Sequence, residues 1–99
     1  MMAYYLSLAA KQHLLTIRAF SVEHWGIEQA DNYLSGLRKQ LQLLARTPRM
    51  GIRCNNMAGE SFYFPYKSHV IYYIISDERL VIAAVLHQRQ APQEHLIRL

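Results

Sequence analysis

Five histidines and a single cysteine are the side chains of this 99-residue chain that could bind a metal ion or act as a nucleophile. His69 and His87 stand on two β-prone segments close in sequence, so their rings could lie together on adjacent strands. No further Cys, Asp or Glu is spaced to complete a tetrahedral site around them. Cys54 falls in a predicted loop and belongs to no catalytic motif. We therefore expect no metal ion, no cofactor and an inert thiol.

A cluster of arginines, Arg46, Arg49 and Arg53, follows the second of two predicted helices. Guanidinium groups bind phosphates and carboxylates, so the cluster could contact nucleic acid or an acidic protein segment. In the simpler interpretation these arginines are solvated and stabilise the negative end of the helix dipole. The sequence has neither helix-turn-helix spacing nor aromatic residues interleaved with basic ones, so direct sequence-specific DNA binding is not expected.

The composition indicates one small globular domain spanning residues 1–99. A net charge of +4 favours an acidic partner. The hydrophobic share of 52% is high enough that part of the apolar surface should be held against another protein. No apolar run approaches the ~18 residues of a membrane span, and residues 1–10 resemble a signal peptide poorly. Because the lone cysteine suits a reducing compartment, we expect a cytoplasmic protein that does not contact the membrane.

The spacing of apolar residues predicts two helices after a short strand. Residues 4–8 alternate as in a strand, and Ser7 is placed to cap the helix that follows. Apolar residues then recur every three or four positions, first up to Gly26 and then from Ile27 to the Thr47-Pro48 pair. The predicted buried stripes are Ala10, Leu14, Ile17 and Phe20, and then Ile27, Ala30, Leu34, Leu37, Leu41 and Leu44. Two helices joined through one glycine should form an antiparallel hairpin.

The second half of the chain is predicted to form strands. Residues 49–59 read as a loop, and β-prone segments follow at 61–64, 69–75 and 80–86. Their short connections are typical of antiparallel neighbours. The sequence therefore predicts an α+β fold with an N-terminal strand, a two-helix antiparallel hairpin and three antiparallel strands. The hairpin should lie across one face of one four-stranded antiparallel sheet.

Four stretches of the chain resemble, in order, the ParE branch of the ParE/RelE toxin superfamily. They are the strand-serine-helix opening at residues 7–17, the junction Trp25-Gly26-x-x-Gln29-Ala30-x-x-Tyr33, the helix end Leu43-Leu44-Ala45-x-x-Pro48-x-x-Gly51, and the strand pair His69-Val70-Ile71-Tyr72-Tyr73 and Val85-Leu86-His87-Gln88-Arg89. The resemblance covers nearly the whole chain and implies a RelE-like fold. It also implies the toxin of a type II toxin–antitoxin system, which stops growth by poisoning DNA gyrase until a cognate antitoxin neutralises it.

Three positions depart from the pattern of that family. Family members usually carry an arginine just after the glycine before the second strand, where this chain has Glu60 and then Ser61. They often carry another immediately before Val-Leu-His, where this chain has Ala84. After Gln-Arg they commonly continue Met-Asp, and this chain continues Gln90-Ala91. These departures bear on whether gyrase is the target.

Two alternatives stand beside a gyrase-binding toxin. RelE-type relatives cleave messenger RNA in the ribosome, which needs a base for the ribose 2′-hydroxyl and cations for the phosphate. Arg89 could supply a cation, and His87 and His95 could carry protons. The other alternative is a degenerate module that binds an antitoxin without being toxic.

The main hypothesis is a toxin that is not an enzyme and acts by binding. An apolar groove should accept an amphipathic, acidic antitoxin segment that is disordered when free. The C-terminal residues 89–99 are candidates for the surface that the antitoxin or the target contacts. The predicted partner-binding residues are Arg46, Arg49, Arg53, His87, Arg89, His95 and Arg98.

Overall fold

The computed structural model describes residues 2–54 and 59–90. The elements are β1 Ala3–Leu6, α1 Leu8–Trp25, α2 Ile27–Arg46, a 3-10 turn at Pro48–Met50, β2 Ile52–Cys54, β3 Glu60–Tyr66, β4 His69–Ser76 and β5 Arg79–His87. The predicted α+β class, the helical hairpin and the three long antiparallel strands are confirmed. No helix in these residues is long and apolar enough to cross a membrane.

The five strands form one sheet in the order β1-β5-β4-β3-β2. β3, β4 and β5 are antiparallel neighbours, and His69 of β4 lies opposite His87 of β5. β1 pairs parallel with β5, with Ala3 beside Arg79. The prediction of a wholly antiparallel sheet was therefore wrong. Tight turns make β3, β4 and β5 antiparallel to one another. No tight turn connects β1 to its neighbour β5, so the direction of β1 is not fixed in this way.

The predicted loop at residues 49–59 contains the strand β2, so the expected count of four strands was too low. Ile52 lies opposite Tyr63, and Cys54 lies opposite Ser61 on β3. A strand of three residues is too short to show an alternating pattern. β2 forms a strand because it pairs with β3, and its own three residues carry no pattern that predicts it.

Ser7 and Gly26 mark the ends of α1 as the sequence predicts. The Ser7 hydroxyl accepts a hydrogen bond from the Ala10 backbone N–H at 3.0 Å and donates one to the Ala83 carbonyl at 2.9 Å. The start of α1 is thus fixed onto β5. Gly26 has φ +89° and ψ 166°, a conformation that only glycine adopts readily, although it is extended and not left-handed helical.

The core lies between the helical hairpin and one face of the sheet. Leu37 and Leu41 of α2 pack in one cluster with Ile71, Tyr73 and Ile82 of the sheet, and all five are almost completely buried. These leucines belong to the predicted stripe of α2, so that part of the prediction is confirmed.

Two members of the predicted stripes are exposed. The exposed fraction is 51% for Phe20 and 61% for Ile27. Both stand near the Gly26 junction, at the end of the hairpin, where the helical stripes continue past the residues that pack on the sheet. Their expected burial was therefore wrong, and Phe20 lines a groove at this end of the molecule.

Candidate partner-binding site

A groove of about 510 Å³ opens between α1 and the end of the sheet that carries His87. We call it the aromatic groove. One wall is the face of α1 from His13 to Trp25, and the other consists of the paired ends of β4 and β5 with Tyr33 of α2. Its lining includes Phe20, Trp25, Tyr33, His69, Val85 and His87. Most of this lining is apolar, so the groove suits an apolar anchor of another molecule.

Aromatic side chains of α1 form the outer lip of the groove. The rings of Phe20 and His24 stack with their centroids 3.9 Å apart, and the Trp25 ring meets Phe20 edge-on at 5.7 Å. The exposed fraction of Trp25 is 57%. Large aromatic residues exposed side by side at the mouth of a groove are typical of an interaction site.

His69 and His87 lie together on the inner wall, as the strand pairing predicts. Their ring centroids are 5.4 Å apart. A hydrogen bond of 2.7 Å joins the Tyr33 hydroxyl to Nδ1 of His69. The Arg89 backbone N–H donates to Nδ1 of His87 at 3.1 Å, so a neutral His87 carries its proton on Nε2.

The environment of His69 keeps it uncharged at neutral pH. Burial, and then the neighbouring His87, lower the pKa of His69 from 6.5 to about 4. A general base or acid works best with a pKa near the operating pH, so His69 is poorly suited to proton transfer at pH 7. In residues 2–54 and 59–90, no three His, Cys, Asp or Glu side chains are placed to share a metal ion.

The predicted arginine cluster lies at the opposite end of the sheet. Arg46 is the last residue of α2 and is exposed. Arg49 forms an ion pair with Glu60, and Arg53 places its guanidinium 3.9 Å from the same carboxylate. Along β3, Glu60 is six residues from Tyr66, which lies opposite His69, so roughly 20 Å separates this carboxylate from the aromatic groove. The structure therefore does not bring the two predicted groups together.

The remaining predicted residues fall at or beyond the end of β5. His87 lines the aromatic groove, and Arg89 follows it in an exposed turn. His95 and Arg98 lie outside the described residues. Of the seven predicted partner-binding residues, the structure places one, His87, in the wall of the groove.

The face of the sheet that points away from the helices carries Ser61 and Ala84. Ser61 is completely buried, and its hydroxyl donates to the Cys54 carbonyl at 2.6 Å. Ala84 is 1% exposed and packs with Cys54, Tyr72 and Leu86. At these two positions, where an arginine would be expected from the family pattern, the structure has buried uncharged side chains.

Sequence reasoning missed most of the aromatic groove. His13, Ile17 and Phe20 are spaced as one face of a helix. This spacing is the one pattern in the sequence that relates them, and it predicts a buried face as readily as the wall of a groove. His13 accepts a hydrogen bond from the Val85 backbone N–H at 3.2 Å, a contact between α1 and β5 that no local pattern predicts.

The sequence model of the family described as "ParE toxin of type II toxin-antitoxin system, parDE" matches residues 4–92. The chain belongs to the ParE toxin family. It is 34% identical over 96 residues to a protein named Toxin ParE1 of Caulobacter vibrioides, covering 97% of this chain and 99% of that one. It is 32% identical over 94 residues to Toxin ParE1 of Mycobacterium tuberculosis, covering 94% and 96%.

A solved structure titled "Chromosomal ParDE TA system from P. aeruginosa" has the same fold. The match has a TM-score of 0.77 at 16% sequence identity and covers 88% of this chain and 96% of that one. The sequence relatives identify a ParE-type toxin of a type II toxin–antitoxin system, and the structural match supports its fold.

Proposed function

We propose that this ParE-family toxin arrests growth by binding DNA gyrase, and that a cognate antitoxin neutralises it. The observation that carries the proposal is family membership over residues 4–92. Relatives named Toxin ParE1 match almost from end to end, so the likeness includes the whole fold and not a shared motif. Because gyrase acts on the chromosome, the proposed site of action is the cytoplasm.

The chemistry of the described residues supports binding over catalysis. Cleavage of RNA by its own 2′-hydroxyl needs a base near its working pKa and cations that hold the phosphate. His87, the candidate proton carrier among the described residues, lies in the wall of the aromatic groove, on the other face of the sheet from Ser61 and Ala84. Ser61 and Ala84 offer no positive charge on the far face of the sheet. We therefore propose that the protein is not an enzyme.

The aromatic groove is the proposed docking surface for an antitoxin segment. Trp25 and Phe20 at its mouth can hold an apolar anchor residue of the partner. Arg89 beyond the end of β5 and a net charge of +4 favour an acidic segment. A segment that is disordered when free and apolar on one face would bury that face here.

Pulse labelling in the first minutes after induction tests the proposed function. The toxin would be expressed from a tightly controlled promoter, with and without the proposed cognate antitoxin. We expect DNA synthesis to stop before protein synthesis, with cleaved DNA, and the antitoxin to prevent both effects. Translation stopping first, with cut messages, would instead favour a ribosome-dependent ribonuclease. Soluble, folded protein that arrests neither process would identify a binding module without toxicity.

A further inference from the structure

The aromatic groove has the size and the lining of a site for a small molecule. Its volume of about 510 Å³ falls within the roughly 300–1,000 Å³ that is typical of ligand pockets. Aromatic rings stand on both of its walls, with Phe20 and Trp25 on α1 and Tyr33 and His69 on the other side. The rings of Tyr33 and His69 meet edge-on, with their centroids 5.6 Å apart. Rings on two walls favour an aromatic ligand over an aliphatic one.

The charges around the groove favour an anion. In the described part of the chain, no Asp or Glu belongs to the lining. Glu23 and Glu28 stand on the two helices that border the groove, but both are exposed and point to solvent outside it. Nζ of Lys67 lies 5.7 Å from the centre of the Tyr33 ring, and Arg89 follows the end of β5. A ligand with a negative charge is therefore attracted by its surroundings and meets no carboxylate in the lining.

His87 offers this groove a hydrogen-bond donor. The Arg89 backbone N–H already occupies Nδ1 of His87, so the neutral ring carries its proton on Nε2. In residues 2–54 and 59–90, no side chain or carbonyl accepts a hydrogen bond from this N–H. His87 is half-buried, and a polar group in such a position is normally satisfied. A carboxylate oxygen is a strong acceptor for it.

We propose that the aromatic groove binds a small aromatic carboxylate, with its ring beside Trp25 and Tyr33 and its carboxylate against the imidazole of His87. The rings of the groove remove the apolar part of the ligand from water, and the N–H of His87 meets its charge. A cationic ligand is unsuited, because the described lining has no acid to pair with it. The inference goes beyond the proposed function and does not depend on it, because it concerns the toxin alone. Such a ligand would compete with the antitoxin segment proposed for the same groove.

Three ligands that differ from one another in a single property test the proposal. Phenylacetate has the ring and the charge, phenylacetamide has the ring without the charge, and cyclohexylacetate has the charge without an aromatic ring. Binding to the purified toxin at pH 7 would be measured by saturation-transfer NMR and titration calorimetry. We expect the Kd of phenylacetate to be at least fivefold lower than that of either other ligand. Equal affinities for phenylacetate and phenylacetamide, or no binding of phenylacetate at millimolar concentration, would overturn the proposal.

Two groove variants, each with a matched control, locate the site. Trp25→Ala removes a ring of the lip, and Leu43→Ala truncates another exposed side chain that does not line the groove. His87→Leu removes the N–H donor, and Gln88→Leu makes a comparable change at the exposed neighbour outside the lining. Circular dichroism would check the folding of all four variants.

We expect each groove variant to raise the Kd of phenylacetate at least fivefold and each control to change it by no more than twofold. Trp25→Ala keeps the test valid if His87→Leu fails to fold, because Trp25 is largely exposed. Groove variants that bind phenylacetate as well as their controls do would overturn the proposal.

The pH dependence of binding is a result that non-specific apolar binding would not produce. A carboxylate beside the histidines of the inner wall favours their protonated form, so the Kd of phenylacetate should fall at least threefold from pH 8 to pH 6. The other titratable or charged groups around these histidines are His13 from α1, Tyr33 from α2, Lys67 from the turn before β4 and Arg89 after β5. The Kd of phenylacetamide should stay constant. A Kd of phenylacetate that is equal at both pH values would overturn the placement of its carboxylate.

Discussion

At the scale of single residues, Tyr73 shows how one hydroxyl can position a whole connection. It is completely buried in the core, and its hydroxyl donates to the Pro48 carbonyl at 2.7 Å and accepts from the Gly51 N–H at 3.1 Å. The turn after α2 is thereby tied to the centre of the sheet. Burial raises the pKa of Tyr73, so the neutral hydroxyl is the form that makes both bonds.

Tyr73→Phe should therefore destabilise the protein by about 1–3 kcal/mol, because it leaves a backbone N–H and a carbonyl without their partner. Urea unfolding followed by circular dichroism measures the free energy. Tyr72→Phe is the matched control, since it removes a hydroxyl on the opposite face, for which the described residues show no hydrogen bond. If Tyr73→Phe loses no more stability than the control, the two hydrogen bonds of the Tyr73 hydroxyl do not stabilise the fold.

His69 makes the folding stability depend on pH, and the direction of that dependence follows from its pKa. Its pKa is about 4 in the folded protein and 6.5 as an ordinary value, so between these limits the unfolded chain takes up a proton that the folded chain refuses. Folding stability should fall as the pH falls from 6.5 to 4. The full shift corresponds to at most about 3 kcal/mol, and solvent at the partly exposed ring reduces this to about 1–2 kcal/mol.

In the variant His69→Gln, the part of the stability loss on acidification that is due to His69 should be absent. The measurement is the free energy of unfolding at pH 7 and at pH 4.5 for wild type and variant, since the difference between them cancels the other titrating groups. If both proteins lose the same stability on acidification, His69 does not titrate as the structure implies. The sequence indicates that His69 and His87 could lie together on adjacent strands, but it does not predict the burial that lowers the pKa of His69.

At the scale of elements, α1 separates two grooves. Its aromatic residues line one, and Lys11, Leu15 and Arg18 line the other. The sequence predicts the helix itself, because Ser7, the apolar spacing and Gly26 are local signals. It does not predict which apolar residues stay exposed, because that depends on where the sheet ends beneath the helix.

The aromatic lip of α1 leads to a prediction about Trp25. Trp25→Ala should weaken antitoxin binding at least tenfold and change the free energy of unfolding by less than about 1 kcal/mol, because the side chain is 57% exposed. Trp25 is the only tryptophan in the chain, so its fluorescence reports directly on the groove in wild-type protein. Leu43→Ala on the outer side of α2 is the control. Binding of the antitoxin without a change in Trp25 fluorescence would contradict docking there.

The strands show where local sequence stops being informative. β3, β4 and β5 are joined by tight connections, and their antiparallel order is predictable from spacing alone. β2 is three residues long and depends on β3, and β1 depends on a partner at the other end of the chain. The pairing of β1 with β5 is long-range and leaves almost no trace in a window of ten residues, and the three residues of β2 are too few to show a period.

At the scale of the whole molecule, basic residues at the two ends of the sheet differ in their surroundings. Arg49 and Arg53 share Glu60, whereas Arg89 follows β5 beside the aromatic groove. Four motifs in register were enough to predict the family. They could not predict the target, because Ser61 and Ala84 replace the residues that would have indicated it.

Reversing the charges at Arg89 and Arg98 should reduce toxicity and leave the fold intact. Lys39→Glu with Arg79→Glu changes the net charge equally and serves as the control, since both residues are exposed, line neither groove and are not among the predicted partner-binding residues. Colony counts after induction measure toxicity, and circular dichroism checks folding. Unchanged toxicity of the Arg89 and Arg98 variant would remove the end of the chain from the mechanism, and an equal effect of the control would mean that net charge alone matters.

We propose that this toxin acts by binding gyrase. The most direct measurement adds purified toxin at increasing molar ratio to purified gyrase and relaxed plasmid, and follows supercoiling and DNA cleavage on a gel. We predict that supercoiling is lost, that cleaved plasmid accumulates, and that prior addition of the antitoxin restores full activity. Undiminished supercoiling at excess toxin, from a preparation that binds antitoxin and arrests growth, would contradict the claim.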